Sequence, residues 1–410
     1  MEYRNQITDS IYYIGVNDRT KHLFEGSWSL PHGVSYNSYL LVGEQVVLID
    51  GVEIATAEKH LGEIKAIIGD RPIDYLIVNH MEPDHSGSIG LLRTLYPEMK
   101  VVGNAKTFGM LDSYFAPIPQ EQRVVVSEKE PLEVGGFSFQ FVMAPMVHWP
   151  EVMFTYESSN NVLFTADAFG TFGALNGAII DRDMSLDLYY EEMYRYYACI
   201  VGKFGTFVQK ALEKYNSLGL SPQYICPTHG PVWTEHGFPQ ALAIYDQLSK
   251  YDTSCGAVIL YGSMYGHTEQ MAEAVAQGLA QSGIKEIVVH NVSTADPSHM
   301  LRDIFKYRAL IVGAPTYSNE LFPPMREILN KVALREVKHH LIGYFGGCTW
   351  AGKAVKLMPE ILEKLAFEQV TDPVEIKGAA TPEQLAQGRE LGAAIGKRLL
   401  ELYPKYQPLL

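Results

Sequence analysis

A ten-residue segment, NHMEPDHSGS at positions 79–88, places the strongest constraint on the fold of this chain. It follows the mostly apolar run DYLIV, which predicts a short buried strand ending near His80. Two imidazoles and two carboxylates then occur close together, at His80, Glu82, Asp84 and His85. Because these side chains are common metal ligands, the segment predicts a metal-binding loop at the carboxyl end of a strand.

Three more candidate ligands also stand where a predicted strand stops. His148 follows FQFVMAPMV, Asp167 follows VLFTA and His229 follows YICPT. Any one of these seven residues alone is more simply explained as part of a solvated loop. As a set of four imidazoles and three carboxylates, they favour a site for two metal ions, which are about 3.5–4 Å apart in such centres.

The first part of the chain mixes helices with consecutive strands. Residues 53–69 have helical spacing, strands follow one another from about 123 to 166, and the chain reads as helical again from Asp187 to about Asn216. This arrangement predicts an α/β sandwich over residues 1–250.

The second part has a cleaner β-α-β alternation. The segment YDTSCG (251–256) is predicted to be a linker, and AVILYG, ALIVGAP and HLIGYFGG are predicted buried strands. The last helix is expected to start at TPEQ, with Thr381 as N-cap and Gln384 completing a capping box. Residues 257–410 therefore predict a doubly wound parallel sheet, which binds ligands beyond the carboxyl ends of its strands.

Length and composition exclude several other classes of protein. A chain of 410 residues is too long for one ordinary core, and its 33 basic and 47 acidic side chains give a net charge of −14, which argues against a nucleic-acid partner. No apolar run reaches the length of a membrane span, and no apolar leader is visible, so we expect a cytoplasmic protein without a membrane partner. The four cysteines form no CxxC pair, which argues against a disulfide framework, a zinc ribbon or a rubredoxin-type iron site within this chain.

Three loops of the second part indicate a phosphate-bearing cofactor. SMYGHT (263–268) joins a predicted strand to a helix, where backbone N–H groups and the hydroxyls of Ser263 and Thr268 can hold a phosphate. Alone, this loop is equally well explained as an ordinary strand–helix turn. APTYSN (314–319) and GGCTWAG (346–352) follow buried strands and strengthen the prediction, whereas GCTWAGK lacks the Ser or Thr that completes a nucleotide P-loop.

These motifs resemble those of a known family. HMEPDH is similar to the metal loop of the metallo-β-lactamase fold, whose hydrolases usually have HxHxDH and bind zinc. Glu82 replaces the second histidine, and the resulting HxExDH resembles the flavodiiron proteins, as do LIDG (48–51), PMVHWP (145–150), TADAFG (165–170) and PTHG (227–230). SMYGHT resembles the phosphate loop of FMN-binding flavodoxins, with Tyr265 where many have threonine.

The resemblance implies a metallo-β-lactamase-like αββα sandwich followed by a flavodoxin-like domain. It assigns His80, Glu82 and His148 to one iron and Asp84, His85 and His229 to the other, with Asp167 as the bridge; some members leave the counterpart of His85 off the metal. It implies contacts to FMN from Ser263, Met264, Tyr265, Gly266, His267, Thr268, Pro315, Thr316, Tyr317, Asn319, Gly347, Cys348, Thr349, Trp350 and Gly352.

The resemblance also implies a cytoplasmic oxidoreductase that reduces dioxygen to water, nitric oxide to nitrous oxide, or both. Electrons would come from an external carrier, rubredoxin or a similar protein, or from a reduced deazaflavin. Family members form head-to-tail homodimers, so we expect a homodimer or a dimer of dimers.

Two alternatives remain open from the sequence. One is a dizinc hydrolase with an appended flavodoxin domain, which Glu82 argues against because an anionic oxygen ligand favours iron. The other is a flavodoxin-like electron carrier with a vestigial metal domain, which the complete ligand set argues against. Glu25 stands where many dioxygen-preferring members carry histidine, and Tyr196 and Tyr197 are candidate proton donors or simply helix-packing residues.

Overall fold

The structure, a computed structural model, describes residues 5–406. The chain divides into two compact units, Met1–Ser249 and Lys250–Leu410, each with its own sheets.

Unit 1 contains two main sheets and two short two-stranded ones. The strands are β1 (Gln6–Thr8), β2 (Ile11–Tyr13), β3 (Val16–Asp18), β4 (Leu23–Phe24), β5 (Trp28–Ser29), β6 (Val34–Tyr36), β7 (Tyr39–Val42), β8 (Val46–Ile49), β9 (Tyr75–Ile77), β10 (Lys100–Gly103), β11 (Arg123–Val125), β12 (Leu132–Val134), β13 (Phe137–Met143), β14 (Met153–Glu157), β15 (Val162–Phe164) and β16 (Tyr224–Cys226). The helices are α1 (Ala57–Ile68), α2 (Pro83–Ser86), α3 (Ile89–Leu95), α4 (Ala105–Tyr114), α5 (Asp187–Tyr196), α6 (Gly205–Ser217) and α7 (Phe238–Ser249).

The first main sheet has the order β1-β2-β7-β8-β9-β10-β11 and is parallel from β8 to β11. Helices α1, α3 and α4 cover it, and Ile64, Leu92 and Phe108 from these helices join Leu48 and Leu76 from the strands in one buried core. The predicted helix over 53–69 is therefore confirmed, with a 3₁₀ turn (Ile54–Thr56) preceding α1.

The second main sheet has the order β12-β13-β14-β15-β16. Strand β13 alternates as predicted, burying Phe137, Phe139 and Phe141, because one face of an antiparallel sheet packs on the core. The rings of Tyr39 (β7) and Phe164 (β15) lie 5.2 Å apart and join the two sheets into a sandwich.

The helical stretch predicted from Asp187 to about Asn216 is not continuous. Helix α5 ends at Tyr196, a π-helical turn (Tyr197–Val201) and a 3₁₀ turn (Gly202–Phe204) follow, and α6 begins at Gly205. Gly202 has φ +46°, a left-handed conformation that an α-helix cannot accommodate, which explains the interruption.

Unit 2 is built from strands β17 (Ser254–Tyr261), β18 (Ile287–Asn291), β19 (Tyr307–Tyr317), β20 (Glu320–Leu321), β21 (Leu341–Cys348), β22 (Glu368–Gln369) and β23 (Val374–Lys377). Its helices are α8 (His267–Gln281), α9 (Pro297–Lys306), α10 (Pro323–Arg335), α11 (Ala354–Leu362) and α12 (Pro382–Leu402). The main sheet has the order β18-β17-β19-β21, continued by β22 and β23 beside β21, and all these pairings are parallel.

This strand order is that of a flavodoxin-like doubly wound sheet. Met271, Val275 and Leu279 on α8 lie in the core, and the predicted capping box of α12 is present at Thr381 and Gln384. Strand β17 already begins at Ser254, inside the segment 251–256 that the sequence suggested as a linker.

Two global features of the chain bear on its chemistry. Within residues 5–406, no helix combines the length and the apolar character needed to cross a bilayer. The four cysteines, all within these residues, form no disulfide bond with one another.

Candidate metal centre and cofactor pocket

All seven candidate ligands of unit 1 lie together at one edge of the sandwich. They come from the segments that follow β9, β13, β15 and β16, with Asp84 and His85 in the short helix α2, and each is buried. The donor atoms form two groups in which every member lies within 4.8 Å of the others: His80, Glu82, His148 and Asp167 in one, and Asp84, His85 and His229 in the other. We call these the first and second ligand groups.

Asp167 lies between the two groups and presents one oxygen to each. Its Oδ2 is 2.9 Å from His148 Nε2 and 3.5 Å from His80 Nε2. Its Oδ1 is 3.2 Å from His85 Nε2 and 3.8 Å from His229 Nε2. A carboxylate in this position has the arrangement needed to bridge two metal ions.

Two histidines are oriented by hydrogen bonds from the ring nitrogen that faces away from the groups. His80 Nδ1 lies 2.8 Å from Glu151 Oε1, and His229 Nδ1 lies 2.7 Å from the backbone oxygen of Ser35. Since each partner atom only accepts, both rings carry the proton on Nδ1 in the neutral form, and the Nε2 lone pairs are directed at the neighbouring carboxylates.

Several buried oxygen and nitrogen atoms of the candidate ligands have no hydrogen-bond partner among residues 5–406. In the second ligand group these are both oxygens of Asp84, both ring nitrogens of His85 and Nε2 of His229. Such atoms are costly to bury unless something else coordinates them. A metal ion at the centre of the group would coordinate one ligand atom from each of these residues, so the residues present fit a metal.

The electrostatics of the cluster also favour bound positive charge. Burial alone would lower the pKa of His148, but Asp167 and Glu82 raise it to about 9. Burial alone would raise the pKa of Asp167, but His80, His148 and His85 hold it well below its usual range. Asp167 therefore stays ionised and requires a counter-charge, which either protons on imidazoles or metal cations can supply.

Residues behind the ligands hold them in place. The Thr228 hydroxyl donates a hydrogen bond to Asp167 Oδ1 at 2.6 Å. Asp50 accepts hydrogen bonds from the backbone and side-chain nitrogens of Asn79 at 2.7 and 3.0 Å, fixing the end of β9 just before His80. The sequence reasoning assigned no role to Asp50, Thr228 or Glu151, although they lie in or next to the segments LIDG, PTHG and PMVHWP.

Glu25 and Tyr196, which the sequence singled out beside the ligands, both lie at the ligand groups. Glu25 occupies the turn of the β4–β5 hairpin with φ +49°, and burial together with the Glu82 carboxylate raises its pKa to about 7. The Tyr196 ring lies 5.5 Å from that of His229, and its buried hydroxyl has no hydrogen-bond partner among the described residues. Burial, followed by Asp167, raises the pKa of Tyr196 well above its ordinary value, so the hydroxyl keeps its proton at neutral pH.

Unit 2 contains a cavity of about 410 Å³ at the carboxyl ends of β17, β19 and β21. All the cofactor-binding residues expected from the sequence line it except Gly266 and Gly352. Gly266 is instead the N-cap of α8, with φ +89°, and a Cβ at Gly352 would lie 2.2 Å from the Glu375 carboxylate. The cavity also includes Ser318, Ala351 and Gly378, which the sequence reasoning missed; Gly378 follows the short strand β23.

The cavity fits a flavin mononucleotide. The Gly266 backbone N–H donates to the Ser263 hydroxyl at 3.0 Å, so the loop curls around the start of α8, where a phosphate is favoured. The Trp350 and Tyr265 side chains that line the cavity are 90% and 86% exposed, an unusual state for large aromatic rings. A bound isoalloxazine ring would cover such surfaces by stacking.

The comparison with known proteins agrees with this geometry. Residues 34–230 match the family described as ODP family beta lactamase, and residues 259–392 match flavodoxin. The chain is 30% identical over 397 residues to a nitric oxide reductase of Moorella thermoacetica, covering 96% of this chain and 98% of the relative.

Two solved structures resemble both units. Rubredoxin oxygen:oxidoreductase from Desulfovibrio gigas matches with a TM-score of 0.92 and 26% identity, over 97% of this chain and 98% of that one. The flavodiiron protein from Giardia intestinalis matches with a TM-score of 0.91 and 27% identity, over 98% of each chain. The metallo-β-lactamase-like and flavodoxin-like folds expected from the sequence are thus confirmed, and the chain belongs to the flavodiiron protein family.

Proposed function

We propose that this protein is an oxidoreductase that reduces dioxygen to water, nitric oxide to nitrous oxide, or both, at two iron ions supplied with electrons through FMN. The observation that carries the proposal is Asp167, whose two oxygens face separate ligand groups within one buried cluster. Nitric oxide reduction and oxygen reduction are the activities in the names of the Moorella and Desulfovibrio relatives.

In this proposal His80, Glu82 and His148 hold the first iron, and Asp84, His85 and His229 hold the second. His85 belongs with the second group because its Nε2 lies 3.3 Å from Asp84 Oδ2 and 3.2 Å from Asp167 Oδ1. Support for iron over zinc comes from Glu82, since a carboxylate in place of an imidazole makes the site harder and more negative. The dizinc hydrolase alternative is not favoured, because the relatives reported above are named as oxidoreductases.

When bound, the iron pair would bind the diatomic substrate and the FMN would supply electrons one at a time. The chain's own residues would control protons and solvent. Both reactions consume protons, and the Tyr196 hydroxyl retains one at Oη beside the second ligand group. The rings of Phe24 and Trp149 pack against His229 and His80 at 5.4 and 5.3 Å and limit the access of water.

The cavity of unit 2 would hold the FMN, with its phosphate at the 263–268 loop and its ring against Trp350 or Tyr265. The chain offers no CxxC pair for an iron–sulfur or rubredoxin centre of its own. We therefore propose an external electron donor, rubredoxin or a similar carrier, for which the name of the Desulfovibrio relative is support. A homodimer or dimer of dimers in the cytoplasm completes the proposal, on the strength of the family resemblance.

The test combines composition and turnover in one preparation. Purified protein is expected to contain about two iron ions and one FMN per chain, and to consume dioxygen or, anaerobically, nitric oxide when a reduced rubredoxin and its reductase are supplied. NADH alone should support little turnover. Zinc in place of iron, or flavin with no metal, would contradict the proposal.

Replacing the bridging residue Asp167 gives a sharper test of the same proposal. Asp167→Asn should lose iron and turnover while the flavin absorbance remains, because the ligand groups and the cofactor cavity belong to separate units. Asp112→Asn, which changes an exposed carboxylate of unit 1, is the matched control and should retain both. Unchanged iron content in Asp167→Asn would contradict the assignment of the bridge.

A further inference from the structure

Glu151 is a buried carboxylate that the proposed reaction does not use directly. Its side chain is fully shielded from solvent, yet no lysine or arginine pairs with it among the contacts described. Oε1 accepts two hydrogen bonds, from His80 Nδ1 and from the backbone N–H of Met81, both at 2.8 Å. An unpaired buried charge is costly. A metal cation in the first ligand group, on the far side of the His80 ring, would stabilise the Glu151 carboxylate.

Glu151 also connects two loops of the centre. It lies three residues after His148, and its backbone oxygen accepts a hydrogen bond from the Asn104 side chain at 2.6 Å. Its carboxylate reaches across to the loop that carries His80 and Glu82. Glu151 thus joins the segment that carries His148 to the loop that carries His80 and Glu82.

Among residues 5–406, no carboxylate is hydrogen-bonded to Nδ1 of either histidine of the second ligand group. There the His229 Nδ1–H is accepted by the neutral backbone oxygen of Ser35, at 2.7 Å. An anionic acceptor holds the imidazole in the same tautomer as a carbonyl does, but it also makes the Nε2 lone pair a stronger donor. The two metal positions therefore differ in the negative charge placed behind His80 and His229.

We propose that Glu151 is a positioning residue that fixes the His80 tautomer and raises the metal affinity of the first position above what the three ligands alone provide. This rests on the proposed function for the presence of a metal pair, but it concerns how tightly one of the two ions is held. The effect acts through His80, so it should appear in metal binding as well as in turnover.

The test is isosteric replacement in the full-length protein. Glu151→Gln keeps the size of the side chain and removes its charge. Anaerobic titration of the metal-free protein with Fe²⁺ against a competing chelator should show one of the two stepwise dissociation constants raised about 10- to 100-fold, with the other unchanged. The same titration is run with Zn²⁺.

Glu157→Gln is the matched control. Glu157 is equally buried, at the end of β14, but its carboxylate accepts hydrogen bonds from the backbone of Ser159 and Asn160, at 2.9 and 2.8 Å, and none from a candidate ligand. A merely structural role for Glu151 predicts that both variants lose stability and neither loses affinity for the metal. Equal metal affinity in Glu151→Gln and wild type would overturn the inference.

If Glu151→Gln does not fold, Glu151→Asp decides the same question. Aspartate keeps the charge but is too short to hold His80 at the present distance, so weaker binding at one position is again expected, and wild-type affinity would overturn the inference. The proposed function is judged separately, by the metal found in wild type. A wild-type protein that prefers zinc would refute the proposed function, while a weakened site in Glu151→Gln would still support the role of Glu151.

Discussion

His60, on helix α1, allows a quantitative prediction of how stability depends on pH. Its Nε2 lies 2.9 Å from the Ser38 hydroxyl, and that hydroxyl donates to the Asp50 backbone oxygen at 2.8 Å. The hydroxyl must therefore accept from His60 Nε2–H, which leaves Nδ1 unprotonated. Nδ1 is buried with no partner among the described residues, so a second proton would be an unpaired charge in the core.

Burial lowers the pKa of His60 to about 3. In the unfolded chain the imidazole titrates near 6.5. Between these values the unfolded state binds the extra proton, so this group's contribution to stability is present above pH 6.5 and is lost as the pH falls toward 3. The loss is about 1.4 kcal/mol per pH unit and begins only below about pH 6.5. Acidification from pH 7 to pH 5 therefore removes about 2 kcal/mol of stability through His60 alone.

His60→Leu removes the titration while keeping an apolar side chain in the core. The variant loses the hydrogen bond to Ser38, so its stability at pH 7 changes by about 1 kcal/mol. Its loss of stability between pH 7 and pH 5 should nevertheless be about 2 kcal/mol smaller than that of the wild type. Comparing the two proteins cancels the titration of every other group.

Urea unfolding of the metal-free protein at several pH values measures this difference. Three of the four tryptophans lie in unit 1, and a Trp350→Phe background restricts the fluorescence signal to that unit. His22→Leu, a change at an exposed histidine, is the control for composition. Parallel stability curves for His60→Leu and the background protein would refute the reasoning.

Substitutions at Gly278 and Thr316 test unit 2, each with a control elsewhere in the chain. A Cβ at Gly278 on α8 would lie 2.0 Å from a backbone oxygen of α12, so Gly278→Ala should lower the free energy of unfolding by about 1–3 kcal/mol. Gly62→Ala on α1, where a Cβ meets nothing within 4 Å, should instead raise it by about 0.5–1 kcal/mol; equal effects in urea unfolding would count against the packing argument. The Thr316 hydroxyl accepts hydrogen bonds from two backbone N–H groups of the 349–354 segment, at 2.9 and 3.1 Å. Thr316→Val should weaken FMN binding about tenfold in a fluorescence titration without changing the metal content. Thr371→Val, at a half-buried threonine that does not line the cavity, should bind FMN normally; equal affinities would show that the Thr316 contact does not shape the cavity.

Much of the local structure was predictable because its causes lie close together in the chain. The alternation of β13 depends on neighbouring residues only, and the capping box of α12 needs residues three positions apart. The chemical character of the metal loop is equally local, since Glu82 in place of a histidine is visible in six letters. The sequence did not predict that α5 ends at Tyr196. A single glycine such as Gly202 costs a helix only about 1 kcal/mol, so it does not by itself indicate a π turn.

By itself, the sequence determined which side chains end each strand, and hence the ligand types, their number and the order of the two folds. The tertiary structure alone decided which strands are neighbours: the parallel pairing of β15 with β16, with Leu163 opposite Ile225, brings Asp167 to His229 across the sheet edge. A strand's pattern encodes the face it buries but not the partner it selects, because pairing depends on contacts between segments far apart in the chain. For the same reason only the folded chain could show that Asp167 faces both ligand groups and that Glu151 supports His80.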